Sequence, residues 1–535
     1  MPGPTFTRRA AAALAGLGLA VCSASVAGVA APRAASPGRL VVTQVSHSAD
    51  WASGEAWVVA DPRAPSVLTA SWTSLPYSSL VAAASSAPGP RPIECGEAYS
   101  TDGGRTWSQQ QLPFQAVGVP ANAGGCADPS LAVDDDGTVY AAFNGGSVIP
   151  GAGTSMAALP SLVTFNVSHD GGRTWGAPSK VWSVEDGPGI TAMTGSLDLA
   201  FDRSWLMLDP TTKTLYVSVS DDAVVARVIL ASHDHGRTWG PAHALDPSDQ
   251  SVWADTISAG RGVVAAAYMV DPASLTYAAT ATHPVTCDHP CAVLETSRDD
   301  GATWSRHVLP APIVLTGAVG IGPEAPGLQV AVDPSADGRY AVLVPVTSVL
   351  AEVWITADDG HSWRRSLSVH GAAGDAVAKT WLAFSPTGVL GVEYRLGHSD
   401  GTHDVYVATS GDLGATYAAP VRLTSTPAPA DTAPLPVGDD CACSLTLDRT
   451  SFYTSWADAR TGQREVWFAR YRYADEPART PARTPSRTPA GPRTPTTAPR
   501  GSLAATGGPA ALPVLGALLL IAALGVTHRH RHRHH

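Results

Sequence analysis

The frame S/T-x-D-x-G-x-T/S-W/Y occurs six times in this chain, at Ser100–Trp107, Ser168–Trp175, Ser232–Trp239, Ser297–Trp304, Thr356–Trp363 and Ser410–Tyr417. Its aspartates, Asp102, Asp170, Asp234, Asp299, Asp358 and Asp412, are separated by 68, 64, 65, 59 and 54 residues. That spacing is too regular for chance and too variable for a rigid solenoid, so it predicts one supersecondary unit repeated with loops of differing length. Each position of the frame has a turn-forming reason. The carboxylate accepts backbone N–H groups across a tight hairpin, glycine permits a positive φ, the hydroxyl closes the turn, and the aromatic ring opens the next strand with a large apolar face.

Upstream of the frames lies a looser unit, seen in "EAWVVADPRAPSVLTASW" (Glu55–Trp72), "DPSLAVDDDGTVYAAF", "DRSWLMLDPTTKTLYVSV", "GLQVAVDPSADGRYAVLV" and "KTWLAFSPTGVLGVEYR". Two apolar runs flank an Asp/Gly/Pro turn, which reads as a hairpin. Hairpin, strand, frame and strand make a four-stranded antiparallel sheet. A composition of 44% hydrophobic and 15% charged residues, with 51 Gly and 44 Pro, suits many short strands joined by turns.

The six frames resemble the Asp-box, or BNR repeat, of sialidase-like β-propellers over roughly residues 40–473. The resemblance implies an all-β propeller of four-stranded blades with the boxes on the face away from the ligand. Six boxes give six blades. After the last box, "CSLTLDRTSFYTSWADARTGQREVWFARY" supplies three more strands and no box, and "RLVVTQVS" at Arg39–Ser46 lacks a hairpin of its own. Pairing of those N- and C-terminal strands would close a ring of seven blades, the expected count, with six the alternative. Closure leaves no open sheet edge.

In a propeller the first strand of each blade lines the axis, so a site is expected where the first strands begin and the second strands end. The first strands offer Glu55, Asp128, Asp202, Arg203, Trp205, Trp253, Asp255, Glu324, Lys379 and Trp381 there; the second strands offer Asp221, Asp222, Glu393, Tyr394, Arg395, Asp458 and Arg460. Carboxylates, arginines and tryptophans together suit a polar ligand such as a sugar. The family resemblance implies roles for some of them. Arg203, Arg395 and Arg460 would clamp a carboxylate, Tyr394 with Glu393 would form a nucleophile pair, Asp128 would be the acid, and Trp205, Trp381 and Asp255 would contact ligand. The family's Arg-Ile-Pro stretch has its nearest counterpart in "RPIE" at Arg91–Glu94, in a different order. The first expectation is a propeller that recognises glycans or other surface ligands at its mouth; an active exo-α-sialidase-type glycoside hydrolase and a protein-binding scaffold are the alternatives. No cofactor or metal is expected, and the chain should be a monomer.

The termini read as addresses. Residues 1–31 carry Arg8, Arg9 and the run "AAALAGLGLAV" before small residues, the pattern of a signal peptide. Of seven cysteines, Cys95, Cys126, Cys287, Cys291, Cys441 and Cys443 lie beyond it, an even number that reads as disulfides in an exported chain. Cys287 with Cys291 should close a small loop, and Cys95 with Cys126 could tie neighbouring blades. The propeller is expected over 37–475 and a Pro/Thr/Arg-rich spacer over 476–502. In 503–535 the order "LAATG", apolar run, basic tail resembles a Gram-positive LAxTG sortase signal. That resemblance implies cleavage between Thr506 and Gly507, with sortase and peptidoglycan as partners, a transmembrane helix in the precursor, and a final place on the cell wall. A net charge of −11 with no basic run in the globular part argues against nucleic acid.

Overall fold

The computed structural model describes residues 27–28, 38–48, 50–76, 94–114, 125–145, 148–149, 157–158, 162–183, 201–221, 226–245, 256–270, 287–313, 328–372, 374–429 and 444–475. All of them fall in the first of two units of the chain, Met1–Pro477.

The turns inside the hairpins begin on a short polar residue whose side chain replaces a missing backbone partner. Asp61, Asp209, Asp333 and Asp448 each accept, through Oδ1, the N–H two residues on, at 2.8, 2.7, 2.8 and 2.6 Å. The apolar runs on either side are thereby folded into antiparallel pairs.

Among the described residues seven blade sheets result, with one further two-stranded antiparallel pair, Val148–Ile149 with Ala157–Ala158. Blade 1 comprises Trp51–Ala60, Leu68–Pro76, Glu94–Ser100 and Ser108–Gln111. Blade 2 comprises Ala127–Val133, Val139–Gly145, Leu162–Ser168 and Ser179–Ser183. Blade 3 runs from Phe201–Leu208 to His243–Ala244, and blade 4 from Thr256–Gly260 to Ser305–Val308. Blade 5 runs from Gln329–Val332 to Arg364–Val369, beside which the two-residue strand Ala27–Gly28 pairs in parallel. Blade 6 holds Ala376–Phe384, Leu390–Gly397, Thr402–Ser410 and Val421–Arg422. Blade 7 takes Leu445–Leu447, Ser451–Asp458 and Glu465–Arg472 from the C-terminal side and Leu40–Gln44 from the N-terminal side. The register Leu40↔Tyr471 to Gln44↔Trp467 closes the ring, as expected for seven blades.

Adjacent inner strands do not share a backbone ladder, and hydroxyl groups stand in for one. Ser130 Oγ accepts the Leu206 N–H at 2.9 Å and donates to the Ser204 carbonyl at 2.7 Å. Ser444 Oγ accepts from Val58, and Thr256 and Ser258 accept from Val330 and Val332. Each satisfies a buried N–H that would otherwise be unpaired.

The expected disulfides Cys95–Cys126 and Cys287–Cys291 both form, the first tying blade 1 to the entry of blade 2. Cys441 and Cys443 lie outside the described residues.

The expectation of a transmembrane segment, and of the membrane-anchored precursor and membrane partner that go with it, is corrected here. Among the described residues no helix is long and apolar enough to cross a membrane. The run that prompted it, together with Thr506, Gly507 and the spacer, lies outside the described residues.

Candidate functional site

All six Asp-boxes are turns between the third and fourth strands. In the third blade Ser232 Oγ donates to Asp234 Oδ1 at 2.9 Å, Gly236 N–H donates to Ser232 Oγ at 2.9 Å, and the Thr238 N–H and hydroxyl donate to the two Asp234 oxygens at 2.9 and 2.6 Å. The Thr238 hydroxyl, then its N–H, hold the Asp234 carboxyl down at about 2. Because strands alternate in direction, these turns lie at the opposite end of the blades from the starts of the first strands.

At those starts, four inner strands break register at the same place. The breaks fall between Gly54 and Trp57, Ala127 and Ser130, Asp202 and Trp205, and Ala378 and Trp381. Each accommodates a charged residue followed by a small one or proline: Glu55-Ala56, Asp128-Pro129, Arg203-Ser204 and Lys379-Thr380. Glu55, Asp128 and Lys379 have φ of 51, 50 and 46°. A left-handed conformation at a non-glycine residue costs of order 1 kcal/mol and tends to gather where function needs a side chain re-aimed. The sequence marks these positions as strand starts, but the bulge breaks the alternation that would have exposed their equivalence. The signal was the recurrence E-A-W, D-P-S, R-S-W and K-T-W.

Below the bulges Trp57, Trp205 and Trp381 meet on the axis with centroids 5.4 to 5.6 Å apart, all three buried. Trp205 and Trp381 therefore pack against Trp57 inside the ring. The mouth is left as a rim.

On the blade 1 and 2 side of that rim, Thr73 Oγ1 donates to Glu55 Oε2 at 2.5 Å and accepts the Asp128 N–H at 3.0 Å. Asn144 Nδ2 donates to Asp128 Oδ2 at 2.7 Å. Thr73 and Asn144, absent from the sequence reading, thus hold the two carboxylates.

On the blade 6 and 7 side, alternation puts Glu393, Arg395 and His403 on one face of blade 6: Glu393 pairs with Val407 and Arg395 with Val405, two residues from His403. That face meets blade 7, where Thr454 Oγ1 donates to Glu393 Oε2 at 2.5 Å and Arg395 Nη2 donates to the Ala457 carbonyl at 3.2 Å. Arg460 grips Asp458 through Nε at 2.9 Å and through Nη2, with its guanidinium 4.2 Å from the Trp467 ring centroid. Burial pushes the Glu393 carboxyl up to about 8, against the Thr454 hydrogen bond and the Arg395 charge. Burial, then the charges of Arg395, Arg460, Lys379 and His398, push His403 down to about 2, so the imidazole is neutral.

The structure thus brings Arg395, Arg460 and Glu393 to one seam, with Lys379 acting on the same imidazole. It does not bring Tyr394 to Glu393: Tyr394 faces the other way and stacks on Tyr406, centroids 5.4 Å apart. Asp128 stands across the rim with Glu55. Arg203 occupies the matching bulge in blade 3, but its side chain and those of Asp202 and Asp221 lie outside the description, as do Asp222, Trp253, Asp255 and Glu324 altogether.

A BNR/Asp-box repeat family profile matches residues 98–109, which contain the first box. A sialidase of Micromonospora viridifaciens is 32% identical over 169 residues, 30% of this chain and 25% of that protein. A sialidase of Bacteroides fragilis (strain YCH46) is 30% identical over 160 residues, 28% of each. Over those stretches the chain is similar to both sialidases. The chain spans about a quarter of the length of those curated relatives. Among solved structures, a Dyadobacter fermentans protein of unknown function aligns with a TM-score of 0.42 at 14% identity, over 81% of this chain and 99% of that one. Trypanosoma rangeli sialidase aligns with a TM-score of 0.41 at 12% identity, over 80% and 69%.

Proposed function

We propose that the Asp-box propeller acts on acidic sugars at the rim of its mouth, as a glycoside hydrolase of the exo-α-sialidase type. The observation that carries this reading is the placing of two guanidinium groups at the blade 6 and 7 seam, Arg395 on the Ala457 carbonyl and Arg460 on Asp458 and the Trp467 ring. A guanidinium held in place by a carboxylate and an indole is pre-organised to pair with a ligand carboxylate. The similarity of part of the chain to two sialidases supports the same substrate class. Asp128, set in a bulge and oriented by Asn144, is the nearest match to an acid able to protonate a leaving group.

The test is hydrolysis of a fluorogenic α-sialoside by the full chain. Turnover is expected, falling about 10- to 100-fold in kcat/KM with Arg460→Ala and by more with Asp128→Asn. No turnover on any α-linked sialoside overturns the hydrolase reading.

A second reading, recognition of acidic glycans without turnover, is favoured by the orientation of Tyr394, whose hydroxyl is turned from Glu393 into the blade 5 side core. Binding to a sialoglycan array without product release would select it.

A further inference from the structure

At the seam His403 carries two buried ring nitrogens that make no hydrogen bond in the described structure. The residue is 1% exposed. A buried polar group left unpaired costs of order 1 to 3 kcal/mol, so native structures rarely keep one unless a ligand or water completes it. His403 pairs in register with Gly397, so no side chain stands directly opposite it on the second strand of blade 6. Of the arginines and the lysine around it, Arg460 reaches solvent, with 17% of its side chain exposed.

We infer that His403 is a specificity-determining residue of the mouth, whose two ring nitrogens read a hydroxyl or amide of an acidic sugar while Arg460 pairs with that sugar's carboxylate. This rests on the reading of the mouth as a sugar-acid site and deepens it. A neutral imidazole presents one N–H donor and one acceptor nitrogen. A sugar hydroxyl, which donates and accepts, satisfies both demands, whereas a bare carboxylate offers acceptors only. A cation next to a neutral donor–acceptor pair therefore selects a hydroxylated acid over a simple one, because the simple acid leaves the imidazole acceptor unfilled. With His403 held far below its ordinary range by burial and by its cationic neighbours, it does not add a further positive charge in weak acid.

The experiment measures binding of N-acetylneuraminic acid and of sodium acetate to the full chain, by calorimetry and ligand-observed NMR, for the unaltered protein, His403→Phe and His403→Gln. Phe keeps the ring shape and removes both nitrogens; Gln restores one donor and one acceptor. His403→Phe is expected to weaken the sugar acid about tenfold or more, with acetate unchanged, and His403→Gln to recover most of the loss. Equal affinity for the sugar acid in all three proteins overturns the inference and leaves the proposed function standing. So does an equal loss for acetate, which marks a general disturbance of the seam. If the unaltered chain binds no sugar acid at all, the proposed function falls first and the inference with it. Should His403→Phe fail to fold, imidazole ¹⁵N shifts of the unaltered chain decide: the His403 signals, assigned by their loss in His403→Gln, should move with the sugar acid and not with acetate, and their constancy under both overturns the inference.

Discussion

At the scale of single residues, the Asp-box shows how a short frame can be read without its fold. Its bonds link Ser232 with Asp234 and Gly236, and Asp234 with Thr238, all within seven residues. Local chemistry alone accounts for the Ser, Asp, Gly and Thr. The glycine has a second reason that only the fold supplies. Gly236 has φ of +80°, and a Cβ there would lie 2.1 Å from Cε1 of the buried Phe165 in the neighbouring blade. Gly401 also has a φ of +80° but has nothing within 4 Å of the same position. Gly401→Ala should therefore cost about 1 kcal/mol, the backbone strain alone, and Gly236→Ala about 2 to 4 kcal/mol, strain plus overpacking. Urea unfolding of the two variants measures the difference. Equal costs would mean the blade seam yields to a methyl group.

At the scale of elements, the third and fourth strands of several blades carry a buried carboxylate facing a partner. Glu295 pairs with Arg306 in blade 4, and Glu352 with Arg365 at 2.8 Å in blade 5. In blade 1 the equivalent Glu97 faces Gln110 in register, and neither of its oxygens has a hydrogen bond of good geometry. Burial pushes its carboxyl up to about 8, only weakly opposed by Gln110 and Trp175. A carboxyl raised on folding binds its proton more tightly in the native state, so its contribution to stability is greatest below about 4.5 and is lost as pH rises toward about 8. Glu393 acts in the same sense. Asp234, Asp358 and Asp412, held down at about 2 by their box hydroxyls and N–H groups, act in the opposite sense and lose stability as pH falls below the ordinary carboxylate range. Thermal melts across pH 3 to 9 should therefore peak in mildly acid solution and decline toward pH 8. Glu97→Gln should flatten the alkaline decline, and Gln110→Arg should reduce it by giving Glu97 the cation that its counterparts have. A melting temperature that rises from pH 5 to pH 8 would contradict the assignment. The strands were legible because alternation and turn residues mark them; the seam was not. Arg395 meets Ala457 across 62 residues of sequence, and the bulges at Glu55, Asp128 and Lys379 shift the alternation just where the mouth residues stand. Tyr394 shows the same limit from the other side, since being next to Glu393 in sequence puts it on the opposite face of the strand.

At the scale of the molecule, ring closure joins segments from the two sides of the described chain. Leu40–Gln44 lies along Glu465–Arg472, and Thr43 Oγ1 also donates to the carbonyl of Gly104 at 2.6 Å while accepting the indole N–H of Trp107 at 3.1 Å. One short strand thus completes blade 7 and holds the first Asp-box of blade 1. The seventh blade could be counted from sequence because its three strands lack a box and the N-terminal strand lacks a hairpin, two deficits that cancel only in a closed ring. The axis was less legible: Trp57, Trp205 and Trp381 come from blades 1, 3 and 6, and their meeting depends on the curvature of the whole ring. Closure carries a consequence for solution behaviour. Without Leu40–Gln44, the eight residues "EVWFARYR" become an unpaired edge rich in β-branched and aromatic side chains, the kind of edge that pairs with another chain. A chain lacking the residues up to Gln44 should melt more than about 5 °C lower and self-associate with rising concentration, as read by thermal denaturation and by light scattering on a sizing column. The effect should be larger than that of Thr43→Val, which keeps the ladder and removes only the two side-chain bonds. If the truncated chain stays monomeric with an unchanged midpoint, the strand decorates the ring without closing it, and the stability of the propeller must reside in the apolar seams between blades.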